Sequence, residues 1–255
     1  MTTAIIFDMD GVLVDISRSL NQAIIGSAKE YCRLRGKKAQ FSPQDIQRIK
    51  NLPGHNDDWK VAARLASDAL GVAVPVGDVA DGTSLKHLFE ERYLGVRLFT
   101  RFYGSRPKRA FPGLIDDEPL LAEKAVLERL RADHPLAIFT GRPRDQALYA
   151  LDRLGITDLF SAIITRNDVK EGKPSPEGLL RLHELMGFET AYYLGDNAQD
   201  DMLAAKAANE IIGNSIVAVG VIPPACPDPD ALTELFMKNG AETVLEKADQ
   251  ILDLL

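Results

Sequence analysis

Two aspartates stand two residues apart after a short apolar run near the amino terminus. Ile5, Ile6 and Phe7 precede Asp8, and Asp10 follows after one residue. Side chains two positions apart along a strand point to the same face. Both carboxylates can therefore reach one chemical group, either to bind a cation or to take part in proton transfer.

Three further groups of polar residues each come after, or soon after, a later apolar run. They are Thr140-Gly141-Arg142, Lys173-Pro174, and Gly195-Asp196-Asn197 followed by Asp200 and Asp201. The ligand sites of open α/β sheets lie at the carboxyl ends of the strands. We therefore expect these groups to gather at one edge, where several acids would meet one lysine and one hydroxyl.

Such a gathering of carboxylates indicates a metal site. Like charges repel strongly in a medium of low dielectric constant, so several buried acids need a compensating cation. A site built only of oxygen ligands, with few protein carboxylates, is typical of Mg²⁺ bound together with a substrate phosphate.

The apolar runs themselves predict the fold class. Five of them, at 4–7, 136–140, 162–165, 191–194 and 216–219, have the length and composition of strands buried on both faces. Helical patterns at 120–131, 145–154, 176–186 and 199–208 alternate with the later runs. This alternation predicts an α/β fold with a doubly wound parallel sheet.

About 130 residues separate the first and second predicted strands, whereas a crossover needs roughly a dozen. Amphipathic patterns at 17–34, 56–70 and 84–102 fill this interval. The sequence thus predicts a helical domain at 16–111, inserted into a core formed by residues 1–15 and 112–255.

Taken together and in this order, the four groups resemble the four signature motifs of the haloacid dehalogenase-like (HAD) hydrolase superfamily. The segment from Phe7 to Leu13 resembles the first motif, Ile138-Phe139-Thr140-Gly141 the second, Lys173-Pro174 the third, and 194–201 the fourth. The resemblance is greatest to the branch of phosphoglycolate phosphatase and β-phosphoglucomutase. It implies a Rossmann-like core and an inserted helical cap.

The resemblance also implies roles for individual residues. Asp8 would be the nucleophile that forms an aspartyl-phosphate, and Asp10 the general acid and base. Thr140 and Lys173 would complete the catalytic set by contacting phosphate oxygens, and Lys173 would also neutralise Asp8. The implied Mg²⁺ ligands are Asp8, Asp10 through its carbonyl, Asp196 and Asp200; the implied phosphate or substrate contacts are Met9, Gly11, Thr140, Gly141, Arg142, Lys173, His55 and Asn56.

Several of these assignments have structural alternatives. Short acids at strand ends often make Asx-turns, Thr140 suits a helix N-cap, and Arg142 suits an exposed surface. Some relatives space the acids of the fourth motif by five residues, which would favour Asp201 over Asp200. The loop around His55 and Asn56 is predicted to contact substrate, with helix capping by Asn56 as the alternative.

Asp10 indicates the type of reaction. The resemblance implies two reactions, dehalogenation and phosphoryl transfer. Displacement of a halide needs no proton for the leaving group, and the family's dehalogenases lack an acid two residues after the nucleophile. An oxygen leaving group does need a proton, which Asp10 could supply. The sequence therefore predicts a phosphatase acting on a small phosphorylated metabolite. The alternatives are a phosphomutase of the β-phosphoglucomutase type and a non-catalytic module that binds phosphate ligands. Phosphoglycolate, sugar phosphates and histidinol phosphate remain open as substrates, and oligomeric state is not predicted.

Composition narrows the classes of partner. Thirty basic and 37 acidic residues give a net charge of −7, which argues against a general nucleic-acid binder. No apolar run approaches the roughly 20 residues that span a bilayer, so no membrane partner is expected. Cys32 and Cys226 are too few and too distant in sequence to suggest a disulfide framework, which favours the cytoplasm.

Overall fold

A computed structural model describes residues 2–52, 57–224 and 226–255. In this part of the chain the strands are β1 (Thr3–Phe7), β2 (Leu136–Phe139), β3 (Ala162–Ile164), β4 (Thr190–Gly195), β5 (Ile216–Val221) and β6 (Thr243–Leu245). The α-helices are α1 (Leu20–Arg33), α2 (Pro43–Lys50), α3 (Asp58–Leu70), α4 (Leu85–Tyr103), α5 (Lys124–Asp133), α6 (Arg144–Leu154), α7 (Glu177–Met186), α8 (Asp201–Ile212) and α9 (Pro229–Lys238). None of these helices is long and apolar enough to cross a membrane.

The chain divides into two compact units. One comprises the residues up to Asp15 together with Pro119–Leu255, and the other is Ile16–Glu118. The helical unit includes 112–118, which the sequence pattern assigns to the core. The physical reason is the buried carboxylate of Glu118, which accepts hydrogen bonds from Ser19 Oγ (2.5 Å) and Tyr93 Oη (3.1 Å).

The larger unit is built on a parallel six-stranded sheet with the order β3-β2-β1-β4-β5-β6. Alternate residues of β1 pack into two separate hydrophobic cores, one on each face of the sheet. Ile5 and Phe7 pack on one face, and Ala4 and Ile6 pack on the other. Burial on both faces explains why the strands are continuous apolar runs, and it confirms the predicted doubly wound α/β fold.

The register brings three strand ends level with one another. Phe7 of β1 pairs with Ile138 of β2 and with Leu194 of β4. The chain order runs outward from β1 in both directions, so β1 and β4 flank the point where strand order reverses. Ligands of doubly wound sheets bind at this place, and Asp8 is the first residue after β1.

The smaller unit is helical. Helix α1 packs against α3 and α4 and buries Ile24, while Leu65 and Phe99 are buried on the other two helices. Helix α4 is interrupted at Gly95, where φ is 63°. Pro112 and Gly113 approach this position so closely that a Cβ there would lie 2.6 Å from the Gly113 nitrogen.

Candidate active site

A group of three carboxylates forms at the reversal point, within the part of the chain that the structure describes. Asp8, Asp196 and Asp201 each place one carboxylate oxygen within 4.8 Å of the others. Asp8 follows β1, Asp196 follows β4, and Asp201 is the first residue of α8. The parallel register thus brings together side chains nearly 200 positions apart in sequence. We call Asp8, Asp196 and Asp201 the acidic trio.

Asp8 is buried and strongly perturbed. Its Oδ1 accepts the Met9 N–H at 2.8 Å and lies 3.0 Å from Nζ of Lys173. Burial raises the pKa of Asp8 to about 7; Lys173 opposes this rise, while the charges of Asp201 and Asp10 add to it. The raised pKa of this carboxyl therefore comes mainly from its burial and, to a smaller extent, from the negative charges of Asp201 and Asp10.

Lys173 joins two members of the acidic trio. Its Nζ lies 2.7 Å from Oδ1 of Asp201 as well as 3.0 Å from Oδ1 of Asp8. Burial lowers the pKa of Lys173, but the charges of Asp201 and Asp8 more than offset this, so the net shift is upward. The lysine is therefore a charged ammonium that neutralises part of the acidic trio. The rings of Phe139 and Tyr193 flank it, with centroids at 4.9 and 5.5 Å.

The structure brings Asp201 into the trio, where the sequence predicts Asp200. Asp201 is fully buried, and its carboxylate accepts hydrogen bonds from Tyr193 Oη (2.6 Å) and from the Asn197 N–H (2.9 Å). Gly195 permits this approach, because a Cβ at residue 195 would lie 2.3 Å from Cβ of Asp201.

Asp200 instead stands at the N-cap of α8, and its N–H donates to Asn197 Oδ1 at 3.1 Å. Helix α8 begins at Asp201, two residues later than the pattern at 199–208 predicts. Both acids are buried, but among the described residues only Asp201 places a carboxylate oxygen in the acidic trio. The difference between Asp200 and Asp201 is thus a matter of where the first turn of α8 starts.

Asp10 turns toward Arg142 and is not a member of the trio among the described residues. Arg142 Nε donates to Asp10 Oδ1 at 2.7 Å, and Nη2 contacts the same oxygen. Arg142 is only 3% exposed, so the surface alternative for this arginine is wrong. Its guanidinium is committed to a neighbouring carboxylate rather than to solvent.

The remaining predicted contacts lie near this edge in different settings. Thr140 is buried, and its Oγ1 accepts the Arg142 N–H at 3.2 Å, whereas Gly141 is exposed. The Met9 N–H already donates to Asp8, and the Gly11 N–H donates to the Val14 carbonyl oxygen at 2.9 Å. A phosphate contact by either amide would have to share or replace that bond. His55 and Asn56 lie outside the described residues.

One side chain of this site, Tyr193, has no predicted function in the sequence, and one contact, between Arg142 and Asp10, is not predicted either. Tyr193 lies inside β4 as one of a run of apolar and aromatic residues, yet its hydroxyl donates to Asp201. Burial and the charges of Asp201 and Asp8 raise its pKa, which keeps the phenol protonated as a donor. The only signal is general: a buried tyrosine hydroxyl usually finds a partner. The pairing of Arg142 with Asp10 leaves no comparable trace in the sequence.

The acidic trio fits a hard divalent cation. Three carboxylates and one ammonium leave two uncompensated negative charges when all are ionised, and all the offered ligand atoms are oxygens. Gly11 adds to the fit because its missing Cβ makes room for Asp196; a Cβ there would lie 2.4 Å from Asp196 Oδ2.

Comparison with known proteins shows the family to which the chain belongs. Residues 2–209 match the family model described as a haloacid dehalogenase-like hydrolase. The chain is 31% identical over 263 residues to an imidazoleglycerol-phosphate dehydratase of Phytophthora nicotianae, and the match covers 98% of this chain but 52% of that protein. This chain thus spans about half the length of that relative.

Two further relatives match over most of their length. A phosphoglycolate phosphatase of Rhodobacter capsulatus is 26% identical, with 81% of each protein covered. The solved structure of phosphatase Tt82 from Thermococcus thioreducens superposes with a TM-score of 0.65 and is 26% identical; the match covers 92% of this chain and 98% of that one. Each match thus covers more than four-fifths of this chain.

Proposed function

Because the chain belongs to the haloacid dehalogenase-like hydrolase family, we propose that it is a Mg²⁺-dependent phosphatase. Its substrate would be a small phosphate monoester, hydrolysed through an aspartyl-phosphate. The observation that carries this proposal is the convergence of Asp8, Asp196 and Asp201 near the ends of β1 and β4, with Lys173 contacting both Asp8 and Asp201.

In the first step, Asp8 attacks phosphorus. A bond forms between its carboxylate oxygen and phosphorus while the bond from phosphorus to the ester oxygen breaks. Asp10 gives its proton to that departing oxygen. Lys173 and the O–H of Thr140 lie on the edge where the phosphoryl oxygens would sit, and both can donate to them.

In the second step, water replaces the alcohol. Asp10, now ionised, takes a proton from the water, whose oxygen displaces the Asp8 carboxylate and releases inorganic phosphate. Asp10 thereby recovers the proton that it gave up, and Asp8 its carboxylate.

Asp8, Asp196 and Asp201 would hold the Mg²⁺, with the carbonyl of Asp10 as a further ligand. When bound, the ion would offset the negative charge of the phosphoryl group and so lower the barrier to its transfer.

The test is a screen of phosphorylated metabolites with release of inorganic phosphate as the readout. It includes phosphoglycolate, sugar phosphates, histidinol phosphate and imidazoleglycerol phosphate, because relatives of the chain are named for the first and the last of these. We expect at least one ester to be hydrolysed with Mg²⁺, and none after EDTA treatment or by Asp8→Asn. Transfer of phosphate between positions of a sugar without release would indicate a mutase. Binding of an ester without turnover would indicate a non-catalytic module.

A further inference from the structure

Asp10 and Arg142 form an ion pair inside the larger unit, in which the arginine is the more buried partner. Nε of Arg142 lies 2.7 Å from Asp10 Oδ1, and Nη2 contacts that same oxygen. The side chain of Arg142 is 3% exposed and that of Asp10 is 22% exposed. Arg142 is thus the more deeply buried partner, and Asp10 is the partner whose carboxylate is partly exposed to solvent.

The backbone around Arg142 is fixed from both sides. Its N–H donates to Thr140 Oγ1 at 3.2 Å, and its carbonyl oxygen accepts the Arg166 N–H at 3.0 Å. Pro143 then leads directly into α6. A guanidinium on such a support stays charged and presents its donors in a rigid plane.

We infer that Arg142 is a positioning residue that fixes the orientation of Asp10 for proton transfer. This inference rests on the proposed function, in which Asp10 is the general acid and base. The guanidinium holds Oδ1, which assigns the transferred proton to Oδ2. In the first step the Oδ2–H bond breaks as the ester oxygen takes the proton, and in the second step Oδ2 takes a proton from water. A small misplacement of a reacting group costs much of its rate advantage.

The competing role for Arg142 is direct contact with the substrate phosphate. That role needs guanidinium donors aimed at the phosphoryl site, whereas here two of them converge on Asp10. The two roles also differ in what they predict. Loss of a substrate contact raises KM for every ester, whereas loss of the orienting contact slows the chemical step most for esters whose leaving oxygen needs a proton.

The experiment compares two aryl esters that differ mainly in leaving group. Phenyl phosphate releases a basic phenolate that needs protonation, and p-nitrophenyl phosphate releases a far less basic one. The ratio kcat/KM reports the steps up to departure of the alcohol. We expect Arg142→Met to lower kcat/KM for phenyl phosphate by on the order of 10- to 100-fold, and that for p-nitrophenyl phosphate by a much smaller factor. Arg142→Lys should also lower kcat/KM more for phenyl phosphate than for p-nitrophenyl phosphate, but by smaller factors.

The matched control is Arg144→Met, two residues further along the chain at the first residue of α6. Arg144 is about half exposed and lies 3.1 Å from Asp168, so its loss removes an arginine ion pair that does not involve Asp10. We expect its leaving-group dependence to equal that of the wild type. Circular dichroism on each variant identifies any that is unfolded, in which case Arg142→Lys carries the test.

Asp10→Asn separates failure of this inference from failure of the proposed function. If Asp10→Asn discriminates between the two esters and the Arg142 variants do not, the inference is wrong and the proposed function stands. Equal losses for both esters with a raised KM would likewise overturn it in favour of a substrate contact. If the wild type hydrolyses neither ester with Mg²⁺ and none of the screened metabolites, the proposed function fails, and the inference fails with it.

Discussion

The ammonium of Lys173 lies 2.7 Å from Oδ1 of Asp201, the fully buried acid at the start of α8. This contact links the loop after β3 to the first turn of α8, the helix that follows β4. It also makes Asp201 one of two carboxylates that share Lys173, the other being Asp8. The electrostatic balance of the candidate active site therefore depends on Asp201 as much as on the acids that the motifs identify directly.

The first prediction compares the neighbouring acids of α8. Asp201→Asn should lower kcat/KM for p-nitrophenyl phosphate by on the order of 100-fold, because it removes a charge from the acidic trio. The new amide would also meet the Tyr193 hydroxyl, the Asn197 N–H and Lys173, all donors, with one acceptor oxygen.

The control is Asp200→Asn, which removes one negative charge from the preceding residue. We expect this variant to lose less than about tenfold, since Asp200 lies outside the trio. Assays at saturating Mg²⁺ with circular dichroism on both proteins check the comparison. A larger loss for Asp200→Asn than for Asp201→Asn would contradict the arrangement described here.

The second prediction concerns the nucleophile. Asp8→Asn should fold, because an amide of the same size can still accept the Met9 N–H through its oxygen. Its hydrolysis of p-nitrophenyl phosphate should fall by on the order of 1,000-fold or more, since the attacking carboxylate is gone.

Acid quenching during turnover of a ³²P-labelled ester provides the direct measurement. The wild type should retain label on the protein, and Asp8→Asn should retain none. Normal hydrolysis by the variant would refute the assignment of Asp8.

The strands show what could be predicted from sequence. All five apolar runs are strands in the structure, because burial on both faces leaves an unbroken apolar signal. Strand β6 was not predicted, since Thr243–Leu245 has three half-buried residues and little signal. Helix α9 was also missed: Asp228 and Pro229 provide an N-cap and a first helical residue, but they end a proline-rich stretch that favours a loop.

Prediction of the candidate active site from the sequence fails in part, for a different reason. The sequence predicts that Asp8, Asp196 and Lys173 meet at one edge, because the ends of parallel strands lie together there. The structure brings Asp8 close to both of the others. The choice between Asp200 and Asp201 depends on where α8 begins, which a shift of one residue changes without altering the apolar pattern. The pairing of Arg142 with Asp10 depends on how a long side chain reaches across neighbouring strands, and local sequence does not encode that reach.

The third prediction is that Mg²⁺ stabilises the protein in the absence of substrate. Filling a site at about 100 times its Kd adds roughly 2.7 kcal/mol to the free energy of unfolding, which corresponds to about 5–10 °C in Tm for a unit of this size. The physical reason is that the ion relieves the repulsion among Asp8, Asp196 and Asp201.

Asp196→Asn should lose most of this Mg²⁺-dependent rise in Tm. The matched control is Asp230→Asn, which removes an exposed carboxylate from the first turn of α9 and should keep the full rise. Differential scanning fluorimetry with Mg²⁺ and with EDTA measures both. An equal rise for wild type and Asp196→Asn would place the ion elsewhere.

The fourth prediction uses two glycines with nearly the same backbone conformation. Gly11 has φ of 74° and Gly36 has φ of 75°, so alanine at either position carries the strain of the left-handed region, about 1–2 kcal/mol. They differ in their surroundings: a Cβ at residue 11 would lie 2.4 Å from Asp196 Oδ2, whereas one at residue 36 meets nothing within 4 Å.

Gly11→Ala must therefore displace Asp196, and Gly36→Ala need displace nothing. We expect Gly11→Ala to raise the Mg²⁺ concentration for half-maximal activity by on the order of tenfold or more, and Gly36→Ala to leave it at the wild-type value. Activity titrations with Mg²⁺ on both folded variants make the measurement. If both titrations match the wild type, Asp196 binds no ion that the reaction needs; if both shift equally, the cause is backbone strain rather than contact with Asp196.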